Sequence, residues 1–293
     1  MSEQSPRARQ AASRGPSRAP FGARLAAAMR ERGPLCVGID PHPSLLASWG
    51  LTDDVDGLRR FSLATVDAVA DLAAALKPQV ALYERHGSAG LAVLEEVLAA
   101  CGAAGVLSIA DAKRGDIGST MAAYADAWLG DGSPLAADAV TLSPYLGFGS
   151  LRPALETAAE TGRGVFVLAL TSNPEGPSVQ HVGGAHSVAR TVCEAASAEN
   201  ARYAGEPLGS VGLVVGATVG DAVVRLGLDL AAMGGPILAP GIGAQGANGA
   251  ALRATFGRAA SRVLGTSSRE ILAGGPGRSG LRERAERTLA DLV

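Results

Sequence analysis

Eight short apolar segments alternate with longer Ala- and Leu-rich segments along the chain from residue 34 onward. The short segments have the length and β-branched content of strands, and the longer ones repeat apolar residues at helical spacing. Strands that alternate with helices are typical of a parallel sheet, because each parallel pair needs a long crossover connection. The predicted strands are 34–40, 75–81, 105–111, 138–143, 164–170, 211–217, 236–240 and 262–266, and the predicted helices include 58–76, 90–100, 120–128, 151–160 and 185–203.

The number of strand–helix units limits the fold. Eight units in a chain of 293 residues match the usual size of a closed barrel. We therefore predict an α/β fold, a single (β/α)8 TIM barrel that forms the catalytic domain over residues 21–293. A doubly wound open sheet is the alternative. Catalytic groups of a barrel lie at the C-terminal ends of its strands, so the candidate residues are those that end or follow a predicted strand.

The first 20 residues form a separate segment rich in Ser, Arg, Pro and Ala, with four arginines against one glutamate. Such a segment has too few apolar residues to offset the entropy of ordering it, so we expect residues 1–20 to be a disordered tail. A targeting peptide is the alternative, although the segment has no apolar signal-peptide core.

The composition excludes several classes of partner. A net charge of −2 gives no general attraction to nucleic acid or to anionic lipid. No apolar run approaches the length of a membrane span, about 18 residues. The three cysteines, Cys36, Cys101 and Cys193, are widely spaced and fit neither a disulfide framework nor a metal site. We expect a cytoplasmic protein with no nucleic-acid or membrane partner.

Lysine is scarce, since the 26 basic residues include only two lysines, Lys77 and Lys113. A lysine ammonium is compact and can release a proton, whereas an arginine guanidinium in practice stays charged. Chance could leave two surface lysines, but Lys77 lies inside an apolar segment and Lys113 follows the third predicted strand. Their positions favour a functional role for both amines.

Four charged residues of alternating sign lie at the ends of the first three predicted strands: Asp40, Lys77, Asp111 and Lys113. Adjacent barrel strands are neighbours in space, and Asp111 and Lys113 leave the same face of an extended segment. The group could be a set of structural ion pairs, with Asp116 capping the next helix. Alternatively, an ammonium held between carboxylates can stabilise negative charge on a reacting carbon and then protonate it. That chemistry suits decarboxylation, enolisation or aldol cleavage.

Glycines and an arginine follow the last two predicted strands. Gly241, Gly243 and Gln245 follow the seventh strand, and glycine lets backbone N–H groups approach an anion closely. Arg269 follows the eighth strand at a predicted helix start, which favours anions. The glycines could merely form tight turns. Because barrels often bind phosphate between these two loops, we predict a phosphate site there.

The segment from Asp111 to Thr120 resembles the D-x-K-x-x-D-x-x-x-T signature of the orotidine 5′-phosphate decarboxylase family. Further similar segments occur in the family's order over residues 34–275, and two of them resemble its longer bacterial (type 2) branch. These segments are Gly38-Ile39-Asp40-Pro41, Lys77-Pro78-Gln79, Pro144-Tyr145-Leu146-Gly147, Thr171-Ser172-Asn173-Pro174, Pro240-Gly241-Ile242-Gly243-Ala244-Gln245 and Ser268-Arg269.

The resemblance implies a reaction and an assembly. The reaction would be decarboxylation of orotidine 5′-phosphate to UMP and CO2, the last step of de novo UMP synthesis, with no metal and no organic cofactor. The small-molecule partner would then be orotidine 5′-phosphate. The assembly would be a homodimer with shared active sites, in which Asp116 and Thr120 reach into the partner's site.

The resemblance also implies a role for each matching residue. Lys113 would donate the proton to the carbon that loses CO2, and Asp111 would lie near the departing carboxylate. The other implied contacts are those of Lys77 and Asp40 with the ribose, of Ser172 with the pyrimidine, and of Gln245 and Arg269 with the phosphate.

Two other functions stay open. A related phosphate-binding barrel acts on sugar phosphates with magnesium, but it carries an acidic metal ligand on strand two, where this chain has Lys77. A catalytically silent nucleotide-phosphate binding protein is the second. Two further features bear on the site: Ser268 stands where compact family members place glycine, and the long segment 171–208 could contain a mobile lid.

Overall fold

The structure is a computed structural model that describes residues 18–243 and 246–293. Within those residues, eight parallel strands close into a barrel in chain order, and the last strand pairs with the first. This order confirms the predicted (β/α)8 barrel and excludes the open sheet. The strands are β1 (Leu35–Ile39), β2 (Ala75–Pro78), β3 (Leu107–Arg114), β4 (Ala139–Leu142), β5 (Gly164–Leu170), β6 (Val211–Val215), β7 (Ile237–Pro240) and β8 (Val263–Ser267).

Helices connect the strands, and most of the apolar core lies between them and the barrel wall. The α-helices are α1 (Phe21–Arg32), α2 (Pro43–Ser48), α3 (Val55–Val69), α4 (Ala81–Glu84), α5 (Gly87–Ala103), α6 (Gly118–Leu129), α7 (Arg152–Thr161), α8 (Pro177–Gln180), α9 (Val188–Asn200), α10 (Ala222–Arg225), α11 (Gly249–Phe256), α12 (Arg269–Leu272) and α13 (Arg278–Leu292). Short 3-10 turns lie at Phe148–Leu151, Gly184–His186, Ala201–Tyr203 and Gly257–Arg262.

Two predicted helices had the wrong bounds. The predicted helix 58–76 ends at Val69, because the chain from Ala73 to Leu76 is buried on every side and enters β2. The predicted helix 185–203 becomes α9 with a 3-10 turn at each end. Ser187 sets the start of α9, since its side chain accepts a hydrogen bond from the N–H of Arg190 at 3.2 Å.

Helix α1 closes the N-terminal end of the barrel. Its Phe21 and Leu25 are fully buried against the inward-facing side chains of the strands. The Phe21 ring meets Phe166 of β5 edge to face, with 5.9 Å between ring centroids. Apolar side chains thus fill this end of the barrel interior, and the buried charged residues Lys77 and Asp111 lie toward the opposite, C-terminal end.

The predicted tail falls mostly outside the described residues, which begin at Arg18. The Arg18 guanidinium donates a hydrogen bond to the backbone carbonyl of Thr161 at 2.9 Å, and α1 starts three residues later. None of the helices in the described ranges has both the length and the apolar character needed to cross a membrane.

Candidate active site

A cavity of about 270 Å³ opens at the C-terminal ends of the strands. Side chains from opposite sides of the barrel meet around it, which only a closed sheet allows. The lining residues are Asp40, Lys77, Gln79, Asp111, Lys113, Thr141, Leu168, Thr171, Val214, Leu238, Pro240, Gly241, Ile242, Thr266, Ser268 and Arg269. The cavity therefore joins the predicted charge cluster to part of the predicted phosphate loops.

Asp111 is the centre of the charge cluster. Its Oδ2 accepts a hydrogen bond from Lys77 Nζ at 2.7 Å, and its Oδ1 accepts one from Lys113 Nζ at 2.6 Å. The two amines differ in access to the cavity, since the Lys77 side chain is 7% exposed and that of Lys113 is 44% exposed. Both lysines of the chain thus bind the same carboxylate.

Charge overrides burial at the centre of this cluster. Burial alone would lower the pKa of Lys77, but the carboxylates of Asp111 and Asp40 raise that pKa above the ordinary lysine value. Burial alone would raise the pKa of Asp111, but Lys77 and Lys113 hold it well below the ordinary carboxyl value. Both members of the buried pair are therefore charged at neutral pH.

The backbone at Lys113 departs from the extended geometry that the sequence predicts. Lys113 has φ of 49°, in the left-handed region, and is the non-glycine residue of the described chain with positive φ. The strand ladder slips here, since Ala110 pairs with Val140 and Arg114 with Leu142. Lys113 and Asp111 still meet, but through this irregular backbone and not through the alternation of a regular strand.

Two polar residues at Asp111 were missed in the sequence. Thr141 Oγ1 donates to Asp111 Oδ1 at 2.9 Å. With its amide turned to satisfy the surrounding acceptors, Gln79 donates to the Asp111 carbonyl at 2.8 Å and to Oδ2 at 3.2 Å. A signal was present in both cases, because Gln79 lies two residues after Lys77 and Thr141 is a polar residue inside an apolar predicted strand.

Asp40 and Ser268 face each other across the neighbouring strand ends. Asp40 Oδ1 is buried and has no hydrogen-bond partner among the described residues, so it can accept one from a bound hydroxyl group. Ser268 packs over Gly38 so closely that a Cβ there would lie 1.8 Å from Ser268 Oγ. Glycine at position 38 is what makes room for serine before Arg269.

The predicted phosphate loops are brought together only in part. Gly241 and Arg269 both line the cavity, and Gly241 has φ of 113°, which other residues rarely adopt. Gly243 does not line the cavity, and its N–H donates to the carbonyl of Ala247 at 3.0 Å. Gln245 lies outside the described residues.

Three other predicted site residues do not line this cavity. Asp116 is half-buried, and its Oδ1 accepts a hydrogen bond from the N–H of Ile117 at 2.7 Å. Thr120 lies exposed on α6, and Ser172 lies exposed after β5. The chain's own charge cluster is therefore built by the ends of β1, β2 and β3 without these side chains.

Arg114, inside the signature segment, faces away from the cluster. Its guanidinium pairs with Glu84 and lies 5.6 Å from the ring centroids of both Tyr124 and Trp128. These contacts tie the end of β3 to α4 and α6. Arg114 therefore has a structural role in holding the segment that carries Asp111 and Lys113.

The fold and the cavity define a barrel enzyme with an Asp–Lys charge network at its mouth. The sequence model described as "Orotidine 5'-phosphate decarboxylase / HUMPS family" matches residues 33–282. An orotidine 5'-phosphate decarboxylase of Salinispora arenicola is 58% identical over 273 residues, 92% of this chain and 96% of the relative. One from Streptomyces coelicolor is 57% identical over 276 residues, 93% of this chain and 97% of the relative.

Solved structures agree. A crystal structure of a Streptomyces avermitilis protein has a TM-score of 0.89 at 57% identity and covers 94% of this chain and 95% of its own. The structure of Leishmania donovani OMP decarboxylase has a TM-score of 0.72 at 31% identity and covers 93% of this chain and 99% of its own. The chain belongs to the orotidine 5′-phosphate decarboxylase / HUMPS family, and the resemblance seen in the sequence is confirmed, as is the prediction of a decarboxylase.

Replacing Asp111 tests the charge network through stability. Asp111→Asn keeps the side-chain shape but leaves the buried Lys77 ammonium without its nearest countercharge, so we expect the free energy of unfolding at pH 7 to fall by about 3–5 kcal/mol. Urea unfolding measures it. Asp71→Asn, which removes a charge from the exposed pair with Arg282, is the matched control and should change stability little.

The pH dependence of the free energy of unfolding tests the direction of the Asp111 pKa shift. Because the pKa of Asp111 is depressed in the folded protein, its stabilisation is complete above the ordinary carboxyl pKa of about 3.9 and is lost as the pH falls below it. The gap between wild type and Asp111→Asn should therefore stay open from neutral to mildly acidic pH and shrink only in strong acid. A gap that closes near pH 6 would contradict the assigned direction.

Proposed function

We propose that the chain catalyses the decarboxylation of orotidine 5′-phosphate to UMP and CO2 without a cofactor, with Lys113 as proton donor. The observation that carries the proposal is the single carboxylate of Asp111 held between two ammonium groups at the cavity wall, 2.7 Å from Lys77 and 2.6 Å from Lys113. One of these ammonium groups, that of Lys113, is exposed to the cavity and can reach a bound molecule.

The proton step uses this difference in exposure. When the bond between the pyrimidine ring and its carboxylate breaks, CO2 leaves and the electron pair stays on the ring carbon. The Lys113 ammonium stabilises that negative charge and transfers its proton to the carbon, which forms the new C–H bond. The neutral amine then recovers a proton from water. Lys77 is too buried for this step and instead keeps Asp111 ionised.

Asp111 has a second role in the proposal. A substrate carboxylate beside its own carboxylate is repelled, and departure as neutral CO2 removes that repulsion. Asp40 Oδ1 is buried and has no hydrogen-bond partner among the described residues. In the proposal it accepts a hydrogen bond from the ribose. Ser172, exposed after β5, is assigned to the pyrimidine.

The phosphate end supplies binding energy away from the reacting carbon. Arg269 and Gly241 line the cavity on the β7 and β8 side, where the guanidinium can pair with phosphate oxygens. Gln245 is assigned to the same phosphate from the family resemblance of the segment Pro240-Gly241-Ile242-Gly243-Ala244-Gln245. Binding energy from a remote group can be used to organise the reacting end, so this grip should affect turnover as well as affinity.

The structure gives a reason to prefer this reaction over magnesium-dependent chemistry on sugar phosphates. The relevant position on β2 carries the ammonium of Lys77, which repels a cation, and that ammonium is bonded to Asp111. A divalent ion there would have to displace a buried ion pair.

We also propose a homodimer in which Asp116 and Thr120 enter the partner's site. Both residues follow closely in sequence after Asp111 and Lys113, which line the cavity, but neither of the two lines it. Beside the cavity, and sharing Leu168 with it, lies a groove of about 440 Å³ lined in part by Tyr145, Val179 and Val188. These three side chains are 80%, 45% and 40% exposed, an apolar surface that a second copy would cover.

The cysteines support a reducing compartment, and we assign the enzyme to the cytoplasm. Cys36, Cys101 and Cys193 are all buried thiols on different elements of the fold. Burial raises the pKa of Cys36 and Cys101 to about 12, which keeps both thiols protonated and unreactive.

The assay that tests the function uses purified protein with orotidine 5′-phosphate in excess EDTA. We expect UMP to form at the same rate with or without magnesium, measured by chromatography of the products. Strict dependence on magnesium, or turnover of a sugar phosphate alone, would favour the magnesium-dependent barrel. Binding of UMP without any turnover would identify a silent nucleotide-phosphate binding protein.

Subunit mixing tests the shared site. Lys113→Ala and Asp116→Asn should each be nearly inactive alone. If each site takes Lys113 from one subunit and Asp116 from the other, a mixed dimer has one intact site, and an equal mixture should regain about a quarter of wild-type activity. Mixing Lys113→Ala with the double variant Lys113→Ala/Asp116→Asn is the control, with no recovery. Absence of recovery in the first mixture, with exchange verified by native mass spectrometry, would exclude sharing.

A further inference from the structure

Thr141, on β4, forms a bridge between the two ends of the Asp111–Lys113 pair. We propose that Thr141 is a positioning residue that fixes where Lys113 presents its ammonium, an inference that rests on the function proposed above. Thr141 lies outside the signature segment, on the next strand and 28 residues after Lys113. The proposal stands on its hydrogen bonds, its burial and its place in the strand pairing.

The hydroxyl of Thr141 makes two directed hydrogen bonds. Its oxygen accepts from the backbone N–H of Lys113 at 2.9 Å, and its own hydrogen goes to Asp111 Oδ1 at 2.9 Å. The direction is fixed, because an N–H can only donate and an ionised carboxylate can only accept. Thr141 is 1% exposed, so water does not replace either bond.

The strand pairing explains why a side chain is needed at this point. Ala110 pairs with Val140 and Arg114 with Leu142, so residues 111–113 of β3 face the single residue Thr141 of β4. A bulge of this kind leaves backbone groups without ladder partners. The Lys113 N–H is such a group, and the Thr141 hydroxyl takes the place of the missing carbonyl.

The same bond holds Lys113 in an unfavourable backbone conformation. A φ of 49° is unfavourable for a lysine, and such conformations persist only where surrounding contacts enforce them. The Lys113 side chain is partly exposed and flexible, so the direction in which it leaves the backbone decides where its amine lies. Without the Thr141 hydroxyl, the backbone can relax to negative φ and swing the amine away from Asp111.

Thr141 also fixes the plane of the Asp111 carboxylate. Oδ1 accepts from Thr141 and Lys113, whereas Oδ2 accepts from Lys77 and from the amide of Gln79. Each oxygen thus has one charged and one neutral donor. Removal of the neutral donor on the Lys113 side leaves Oδ1 held only by a mobile ammonium.

The test compares Thr141→Val, which keeps the shape and removes the hydroxyl, with Thr141→Ser, which keeps the hydroxyl. Misplacement of a reacting group by about 1 Å can reduce turnover about 100-fold, so we expect kcat of Thr141→Val to fall between 10- and 100-fold. KM and UMP affinity should stay within about threefold of wild type, because a loss confined to the positioning of the reacting group lowers kcat and leaves binding unchanged. Thr141→Ser should keep kcat within threefold of wild type, since it restores both hydrogen bonds.

The matched control is Thr65→Val, which removes the hydroxyl of an equally buried threonine of α3 whose Oγ1 donates to the Phe61 carbonyl at 2.9 Å. We expect it to leave kcat unchanged, and the melting temperatures of both variants show whether each is folded. Should Thr141→Val not fold, Thr141→Cys, with a weaker donor of similar size, is expected to fold and to show an intermediate kcat.

A crystal structure of Thr141→Val supplies a readout that does not depend on activity. We expect Lys113 to leave positive φ and its amine to move from Asp111. Positive φ with the amine still on Asp111, or a kcat equal to that of Thr65→Val, would overturn the inference. Wild-type protein that forms no UMP would instead overturn the proposed function, so the two failures are distinct.

Discussion

The buried carboxylate of Asp111 is the group on which the rest of the site depends. Two lysine ammonium groups, a hydroxyl and an amide all donate to it. Without it, the buried ammonium of Lys77 would lack its nearest countercharge. Taking such charges out of water is unfavourable unless each is paired. The array fits the proposed reaction better than a purely structural role, because it holds the Lys113 ammonium beside a cavity of about 270 Å³.

The barrel makes this arrangement possible by closing one end and opening the other. Phe21 and Leu25 of α1 fill the N-terminal end with apolar side chains, so polar groups collect at the strand ends of the opposite face. Closure between β8 and β1 then brings Arg269 round to the side of Asp40. Residues more than 200 positions apart in sequence, such as Asp40 and Arg269, come to line one cavity for this reason.

Much of this was predictable from sequence, because it depends on periodicity and on unusual residue choice. Alternating patterns located every strand, and the scarcity of lysine singled out Lys77 and Lys113 before any contact was known. The positive φ of Lys113 and the bridge through Thr141 were not predictable, since both arise from a register slip between two strands.

Two residues of the family signature lie away from the cavity that this chain forms. Asp116 and Thr120 match the family signature, yet they lie outside the lining, and their assigned role needs a second subunit. The end of helix α3 was misplaced for a different reason. Alanine has high helix propensity, and the run of buried alanines before Lys77 gives the same local signal in a helix and in a strand.

With two lysines in the chain, selective 15N-lysine labelling gives two side-chain amine signals, and a Lys113→Arg variant assigns them. NMR titration of the Lys77 amine is the most direct measurement of the central claim, that Asp111 and Asp40 hold a buried lysine in its charged form. We expect Lys77 to remain an ammonium above the ordinary lysine pKa of about 10.4. A Lys77 amine that loses its proton at or below that value would contradict the account.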